Sequence, residues 1–315
     1  MAMEILRFEG QGSKLNRAPI GVFDSGFGGL TVAREIVKAL PNENIIYVGD
    51  SARCPYGPRS LAEVRSFVEQ IGAWLISQGV KMIVIACNTA TAAGLEYAQK
   101  LFPVPVLGVV EPGARAAAMQ TVNNRVGVIG THATIESGVY TAAIRRLNED
   151  ITVFATATPR FVSIAELGVR MADGPIEDLT SLASKVFIRA PFREIAREYL
   201  EPMRRCDVDT LVLGCTHFPL VKALIGGVMG HEVKLVSSAE AVVEDIIAAL
   251  AEQGIAAPAD NVGEHRFYTT GNNITQFERF GSRVFQRSLT NVSHLDLPSL
   301  EEMRLVWEYM RKPSL

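Results

Sequence analysis

The chain has 315 residues, which at roughly 150 residues per domain predicts about two domains. Hydrophobic residues make up 48% and charged residues 21% of the sequence, so the composition excludes a disordered chain, a collagen and a coiled coil. The 31 basic and 34 acidic side chains leave a net charge of −3, which gives no sequence-wide indication of nucleic-acid binding.

The sequence also lacks the usual signs of membrane insertion or secretion. No apolar run reaches the roughly 18–20 residues that a membrane-spanning helix needs. Residues 1–17 are polar and lack the apolar core of a secretory signal, so we expect a cytoplasmic protein. Four cysteines are too few for a disulfide scaffold in a chain of this length, and a cytosolic thiol is more often free, metal-bound or catalytic.

Apolar runs of strand length alternate with helix-length segments along the chain. In order, the pattern predicts strands over residues 20–23, 44–48, 82–86, 126–129, 153–156 and 210–213. Within the first part of the chain it predicts helices over residues 30–40, 60–78 and 89–101. The strands are too continuously β-branched for a half-exposed sheet, which favours a parallel sheet in an α/β fold.

The strand–turn–helix pattern contains a weak internal repeat. Ile83-Val-Ile-Ala-Cys-Asn-Thr89 resembles Leu211-Val-Leu-Gly-Cys-Thr-His217, with an apolar strand, one small residue, a cysteine and polar residues that open a helix. Gly21-Val-Phe-Asp-Ser-Gly26 and Gly127-Val-Ile-Gly-Thr-His132 are similar in placement. Because the cysteine is matched as well, we interpret the repeat as a duplication that produces two similar α/β domains, each presenting one thiol.

The matched cysteines, Cys87 and Cys215, fall at the carboxyl ends of predicted strands, where parallel α/β sheets bind ligands. Each precedes a predicted helix, whose free N–H groups and positive dipole end favour a thiolate. A cysteine beside a strand is often just a small buried hydrophobic residue, but two in matching positions favour a functional role. Cys54 and Cys206 lack a repeated setting and are expected to be structural.

A glycine-rich turn after the first predicted strand is the second candidate site. Gly26-Phe-Gly28 and Thr31 resemble a dinucleotide fingerprint, but the third glycine is missing and Asp24 would face the pyrophosphate. A smaller ligand fits better, because Asp24 and Ser25 could meet an ammonium group or assist a base. The segments that follow the next strand, Asp50-Ser51 and Pro55-Tyr56-Gly57, would line the same cleft.

Other kinds of site explain these residues less well. The sequence has no P-loop motif, and Cys215 and His217 could supply two metal ligands but have no partner pair at zinc spacing. A hydrolase with Cys87 as nucleophile and His217 as base would leave Cys215 unused, and a non-catalytic amino-acid-binding module would need neither thiol. Inverting a carbon centre requires one group to remove a proton and a second to return one to the opposite face, so two opposed thiols favour a racemase.

Six motifs follow one another along the chain: Gly21-Val-Phe-Asp-Ser-Gly-Phe-Gly-Gly-Leu-Thr31, Tyr47-Val-Gly-Asp50, Pro55-Tyr-Gly57, Ala86-Cys-Asn-Thr-Ala90, Val128-Ile-Gly-Thr131 and Leu213-Gly-Cys-Thr-His-Phe-Pro-Leu220. Together they resemble the glutamate racemases of the aspartate/glutamate racemase family. The resemblance runs from about residue 19 to residue 282 and keeps the family's order of motifs. The histidine after Cys215-Thr216 resembles the glutamate branch of the family.

This resemblance implies a cofactor-independent enzyme that interconverts L- and D-glutamate and supplies D-glutamate for peptidoglycan. It implies Cys87 and Cys215 as the two bases, assisted by Asp24 and His217. From the charge, the apolar runs and the ligand spacing we expect no metal and no nucleic-acid or membrane partner, and the sequence is compatible with a homodimer. The residues expected to contact the substrate are Asp24, Ser25, Pro55, Tyr56, Gly57, Asn88, Thr89, Thr131, Glu166, Thr216 and His217.

We expect the two domains to be related by pseudo-twofold symmetry, with the active site in the cleft between them. The first would comprise residues 1–113 and 226–315, and the second residues 114–225. The sequence departs from the family in three segments. Arg160 in residues 158–160 takes a commonly apolar position, residues 170–205 are longer than usual by about a helix, and residues 238–240 lack the Asp that commonly precedes them.

Overall fold

A computed structural model of the chain describes residues 15–171 and 190–302. Its strands are β1 (Ile20–Asp24), β2 (Ile45–Gly49), β3 (Met82–Ile85), β4 (Val106–Gly108), β5 (Arg125–Gly130), β6 (Thr152–Ala157), β7 (Thr210–Gly214), β8 (Lys234–Ser237), β9 (His265–Thr269) and β10 (Val292–His294). Its α-helices are α1 (Leu30–Ala39), α2 (Leu61–Ser77), α3 (Asn88–Leu101), α4 (Val110–Gln120), α5 (His132–Glu136), α6 (Val139–Leu147), α7 (Arg160–Met171), α8 (Ala190–Arg205), α9 (Lys222–Met229), α10 (Ser238–Glu252) and α11 (Ile274–Phe285).

Six strands form a parallel sheet in the order β10-β9-β2-β1-β3-β4. β1 lies at its centre, with Ile20 opposite Ile45 of β2 and Met82 of β3. Every residue of β1, β2 and β3 is buried, because α1, α10 and α11 cover one face of the sheet while α2 and α3 cover the other. Burial on both faces is the physical reason for the continuous β-branched runs.

Four further strands form a second parallel sheet in the order β6-β5-β7-β8. This order repeats β2-β1-β3-β4 of the first sheet, strand for strand. Helices again cover both faces, with α7, α8 and α9 on one side and α4 and α6 on the other. The predicted fold class, two similar α/β units, is confirmed; below we call the unit of the six-stranded sheet the first half and that of the four-stranded sheet the second half.

The chain returns to the first half later than the expected boundary at residue 226. β8 pairs with β7, so residues Lys234–Ser237 belong to the sheet of the second half. α10 follows directly and packs against α1 of the first half and α4 of the second, so it bridges the two. The division into domains stays a prediction. In it, the chain now returns to the first half after Ser237 rather than at residue 226.

The long segment of residues 170–205 is described only in part, because residues 172–189 lie outside the described residues. Its last portion is α8, which packs against α7 and α9. Arg160 at the start of α7 is exposed and forms an ion pair with Glu198 of α8, with 3.3 Å between Nη1 and Oε2. Within residues 15–171 and 190–302, no helix combines the length and apolarity needed to cross a membrane.

Candidate active site

The carboxyl ends of the two sheets meet at a small enclosed space, which we call the inner cavity. Its volume is about 30 Å³. Loops from both halves supply its wall, as expected for a ligand site at the strand ends of α/β sheets. The lining residues are Ser25, Cys54, Pro55, Tyr56, Gly57, Cys87, Asn88, Thr89, Thr131, Val162, Gly214, Cys215, Thr216 and His217.

The structure brings the residues expected at the site together at this cavity. All of them line the cavity except Asp24 and Glu166, each of which contacts a residue of its wall. Asp24 accepts a hydrogen bond from Thr216 Oγ1 at 3.2 Å, and Glu166 Oε1 lies 3.5 Å from His217 Nε2. Their placement agrees with the expected site, while the role of each residue stays a prediction.

Cys87 lies between β3 and α3 and caps the helix. Its Sγ accepts a hydrogen bond from the backbone N–H of Ala90 at 3.4 Å, and the residue is 6% exposed. Burial raises the pKa of the Cys87 thiol, the nearby Asp24 carboxylate raises it further, and the Ala90 N–H only partly opposes them. The helix terminus is therefore present as expected, but its effect on the thiol pKa is smaller than that of burial, and the thiolate at Cys87 stays a prediction.

Cys215 has a different neighbour, since no α-helix begins directly after it. A short 3₁₀ turn over Phe218–Val221 intervenes before α9, so the expected helix N-terminus at Cys215 is wrong. Instead, Cys215 Sγ lies 3.9 Å from His217 Nδ1. The other ring nitrogen, Nε2, is buried and faces Glu166 at 3.5 Å in an ion-pair contact rather than a well-aligned hydrogen bond.

This arrangement keeps His217 protonated. Burial alone would lower its pKa, but Cys215 and Glu166 on its two ring nitrogens and the Asp24 carboxylate raise the pKa to about 10. The same contact with His217 lowers the pKa of Glu166. This raised pKa favours an imidazolium beside Cys215 and Glu166, and an imidazolium can donate a proton or a hydrogen bond.

Asp24 ends β1 and is completely buried. Its Oδ2 accepts from the backbone N–H of Gly26 at 3.1 Å, and its Oδ1 accepts from Thr216 Oγ1 of the second half. Burial raises the pKa of this carboxyl, although the charge of His217 and these hydrogen bonds lower it. Asp24 therefore connects the glycine-rich turn of the first half to the segment that carries Cys215.

The loop over residues 53–57 is held by a buried carboxylate, Asp50, at the end of β2. Asp50 accepts hydrogen bonds from the Tyr56 hydroxyl, from Arg53 Nε at 2.6 Å and from Thr270 Oγ1 at 2.7 Å. We expected Asp50 to line the cleft, but it anchors the loop from behind. Cys54, expected to be structural, lines the inner cavity as well.

Close contacts between the halves depend on two glycines. A Cβ at position 28 would lie 2.6 Å from Cε1 of His217, and one at position 57 would lie 2.8 Å from Cβ of Thr131. Neither neighbour is the end of a flexible side chain, so a methyl group at either position would push the halves apart. Glycine at these positions lets the loops of the two halves approach each other closely.

A second, larger space of about 560 Å³ adjoins the inner cavity on the side of Glu166, and we call it the outer cavity. The two cavities share Cys54 and His217 in their walls. Phe27, Phe277 and other aromatic and amide side chains line the rest of the outer cavity.

Comparisons with known proteins agree with this geometry. Residues 20–246 match the model of the Asp/Glu/Hydantoin racemase family. The chain is 43% identical over 284 residues to a glutamate racemase of Bacillus cereus, an alignment that covers 90% of this chain and 98% of the relative.

Solved structures give the same result. Glutamate racemase RacE1 of Bacillus anthracis superposes with a TM-score of 0.79 at 39% identity, covering 90% of this chain and 99% of that one. Glutamate racemase of Francisella tularensis, solved with D-glutamate, superposes with a TM-score of 0.78 at 34% identity, covering 90% of this chain and 99% of that one. The enzyme is an amino-acid racemase, and the chain belongs to the Asp/Glu/Hydantoin racemase family.

Proposed function

We propose that this enzyme is a glutamate racemase that interconverts L- and D-glutamate with two cysteine bases and without a cofactor. The observation that supports this proposal best is that Cys87 and Cys215, at matching strand ends of two similar halves, line one enclosed cavity. Relatives at 43% identity are glutamate racemases, which supports glutamate as the substrate.

In this mechanism one thiolate removes the α-proton from one face of glutamate. The electron pair of the broken C–H bond stays on the α-carbon, and the thiol on the opposite side then donates its proton to the other face. We assign Cys87 to D-glutamate and Cys215 to L-glutamate, as the family resemblance implies. After a turnover the two cysteines have exchanged protonation states and the product has the opposite configuration.

The substrate can help to form the thiolate at this buried site. Burial and Asp24 raise the pKa of Cys87, which favours the thiol. An ammonium group within about 4–6 Å favours the charged form of a thiol, and the substrate brings one next to its α-carbon. We therefore infer that thiolate formation accompanies substrate binding, with His217 as the neighbouring cation on the Cys215 side.

The biological role that we propose is the supply of D-glutamate for peptidoglycan in the cytoplasm. It follows from the proposed reaction and from the resemblance to bacterial glutamate racemases. Assembly into a homodimer stays a prediction.

The test is chiral chromatography of L-glutamate incubated with purified enzyme that has been dialysed against EDTA. We expect conversion toward a mixture of both enantiomers, and in heavy water we expect deuterium at the α-carbon of the product. Aspartate should react about 10–200-fold less efficiently, because a chain shorter by one methylene misplaces the distal carboxylate. Activity that disappears on dialysis and returns with a metal would contradict the cofactor-independent mechanism, and equal turnover of aspartate would contradict the substrate.

A further inference from the structure

One buried hydroxyl next to the inner cavity has no role in the proposed mechanism. It belongs to Tyr140, in the first turn of α6 in the second half, and the residue is 2% exposed. Its phenol O–H donates a hydrogen bond to Oδ1 of Asn88 at 2.6 Å. Asn88 is the first residue of α3 in the first half, directly after Cys87, and it lines the inner cavity. This hydrogen bond therefore crosses between the halves beside one of the two thiols.

The ring of Tyr140 packs against Gly214, the residue before the other cysteine. A Cβ at position 214, directly before Cys215, would lie 3.1 Å from Cε2 of Tyr140. A Cβ at position 113 would lie 3.2 Å from the phenol oxygen. Both positions are glycine, which leaves room for the ring. Tyr140 thus contacts the backbone next to Cys215 and the side chain next to Cys87.

The direction of the hydrogen bond determines which end of the Asn88 amide remains for a ligand. Oδ1 is only an acceptor, so it takes the phenol proton, and the amide nitrogen with its two N–H donors is left. One of these donors faces Ser238 Oγ at 3.5 Å, the outer limit of a hydrogen bond. Burial raises the pKa of Tyr140, so the phenol keeps its proton and stays a donor.

We propose that Tyr140 is a positioning residue that holds the Asn88 amide with its N–H group toward a carboxylate of the substrate. The inference rests on the proposed function, in which both ligands are amino acids with a carboxylate on the α-carbon. Without the phenol proton, the amide can turn and present Oδ1, which repels a carboxylate. Since L- and D-glutamate carry the same groups, the effect is the same for both.

The experiment compares Tyr140→Phe, Asn88→Ala and the double variant in steady-state racemisation from each enantiomer. Tyr140→Phe keeps the aromatic ring in place and removes only the hydroxyl. We expect a rise in KM of roughly 3–10-fold for both enantiomers, as for the loss of one hydrogen bond, with kcat changed less than about twofold. The double variant should match Asn88→Ala alone, because the hydroxyl acts through the amide.

Two further variants separate positioning from general stability. Tyr97→Phe is the matched control: it removes a phenol that donates to Glu69 Oε2 at 3.0 Å, and it lies on the same helix as Asn88. Its KM should stay at the wild-type value. Asn88→Asp keeps the acceptor for Tyr140 but replaces the amide nitrogen by oxygen, so its KM should rise at least as much as that of Asn88→Ala. This variant tests the amide orientation even if Tyr140→Phe does not fold.

The outcomes distinguish this inference from the proposed function. A wild-type enzyme that leaves glutamate unchanged overturns the proposed function and this inference with it. A wild type that racemises glutamate, together with an unchanged KM in Tyr140→Phe, overturns the inference alone. Additive effects in the double variant, or a wild-type KM in Asn88→Asp, also overturn it, since Tyr140 would then act without the amide.

Discussion

Cys87 and Cys215 occupy equivalent places in the two halves but have different surroundings. Cys215 faces the imidazole of His217 at 3.9 Å, and Glu166 lies beyond it. Cys87 instead caps a helix through Ala90 N–H, and no charged side chain forms a hydrogen bond with its Sγ among the described residues. We call His217 and Glu166 beside Cys215 the ionic side, and the hydroxyl groups beside Cys87 the neutral side; the Asp24 carboxylate acts on both Cys87 and His217.

The neutral side is built from hydroxyl groups. Thr89, two residues after Cys87, is the counterpart of His217, and its Oγ1 lies 2.9 Å from Thr131 Oγ1 and 3.1 Å from Thr134 Oγ1. Thr131 and Thr134 are themselves 3.0 Å apart, so three hydroxyls close a triangle across the halves. Duplication thus explains where the thiols lie, whereas the two residues after each cysteine determine its electrostatic environment.

The largest effect should come from replacing either thiol. Cys87→Ser and Cys215→Ser should each reduce racemisation in both directions by about 10⁴-fold, because serine is a far weaker acid and both bases are needed. Cys206→Ser, a cysteine outside the inner cavity, is the matched control and should racemise glutamate at the wild-type rate. A Cys87 or Cys215 variant with wild-type activity would contradict the two-thiol mechanism.

A β-substituted analogue with a leaving group separates the two faces. After one deprotonation it eliminates, so the second acid is not required. Cys87→Ser should still eliminate from the L-analogue and Cys215→Ser from the D-analogue. Measured elimination with the opposite selectivity would reverse the facial assignment while keeping two bases.

The next largest effects should come from the charged groups Asp24, which acts on Cys87 and His217, and His217, which faces Cys215. Asp24→Asn and His217→Asn should lower kcat by roughly 10²–10⁴-fold with a smaller change in KM, as expected for groups that assist proton transfer. Thr89 lies two residues after Cys87, as His217 does after Cys215. Thr89→Val should lower kcat much less, because the hydroxyl that it removes carries no charge. Steady-state kinetics from both enantiomers measure this difference, and equal losses in Thr89→Val and His217→Asn would contradict it.

The repeated pattern of strand, small residue and cysteine was enough to predict the fold and the position of both thiols. Strands buried on both faces carry continuous apolar runs, so β1, β2, β3, β5 and β7 were predicted within about two residues. β4 and β10 have three residues each, too few for any periodic pattern, and β9 is interrupted by polar residues. The sequence pattern therefore does not predict these three strands, nor the four-residue strand β8.

The supporting contacts of the site could not be predicted in the same way. Tyr140 and Asn88 are 52 residues apart and meet only because the halves pack together. Asp50 anchors a loop through Thr270, which lies 220 residues later in the chain. Such contacts depend on how the two halves pack against each other, and no local pattern records that packing.

Glu166 offers a pH-dependent test of the ionic side. The His217 pKa of about 10 lies above its ordinary value of 6.5, so its charge adds stability that is complete below about pH 6.5 and lost as pH rises through 10. Glu166→Gln should lower this pKa. The loss of thermal stability and of activity on raising the pH should therefore begin at a lower pH than in the wild-type enzyme. At pH 9 we expect kcat to fall about 3–10-fold relative to wild type.

The control for this variant is Glu198→Gln, an exposed carboxylate that pairs with Arg160 away from the cavity. Its pH–rate profile should superimpose on that of wild type. A Glu166→Gln profile with an unchanged alkaline limb would show that Cys215 and Asp24 alone keep His217 protonated.

The smallest effect should come from the hydroxyl triangle beside Cys87. Thr134 is buried behind the cavity wall, and Thr134→Val removes its hydroxyl at nearly constant volume. Thr89 and Thr131 remain bonded to each other, so we expect a loss of about 0.5–1.5 kcal/mol in the free energy of unfolding and a kcat within about twofold of wild type. Thermal melting together with kinetics measures both quantities. A fall in kcat comparable to that of His217→Asn would mean that the hydroxyls take part in proton transfer, and the neutral side would then be as catalytic as the ionic one.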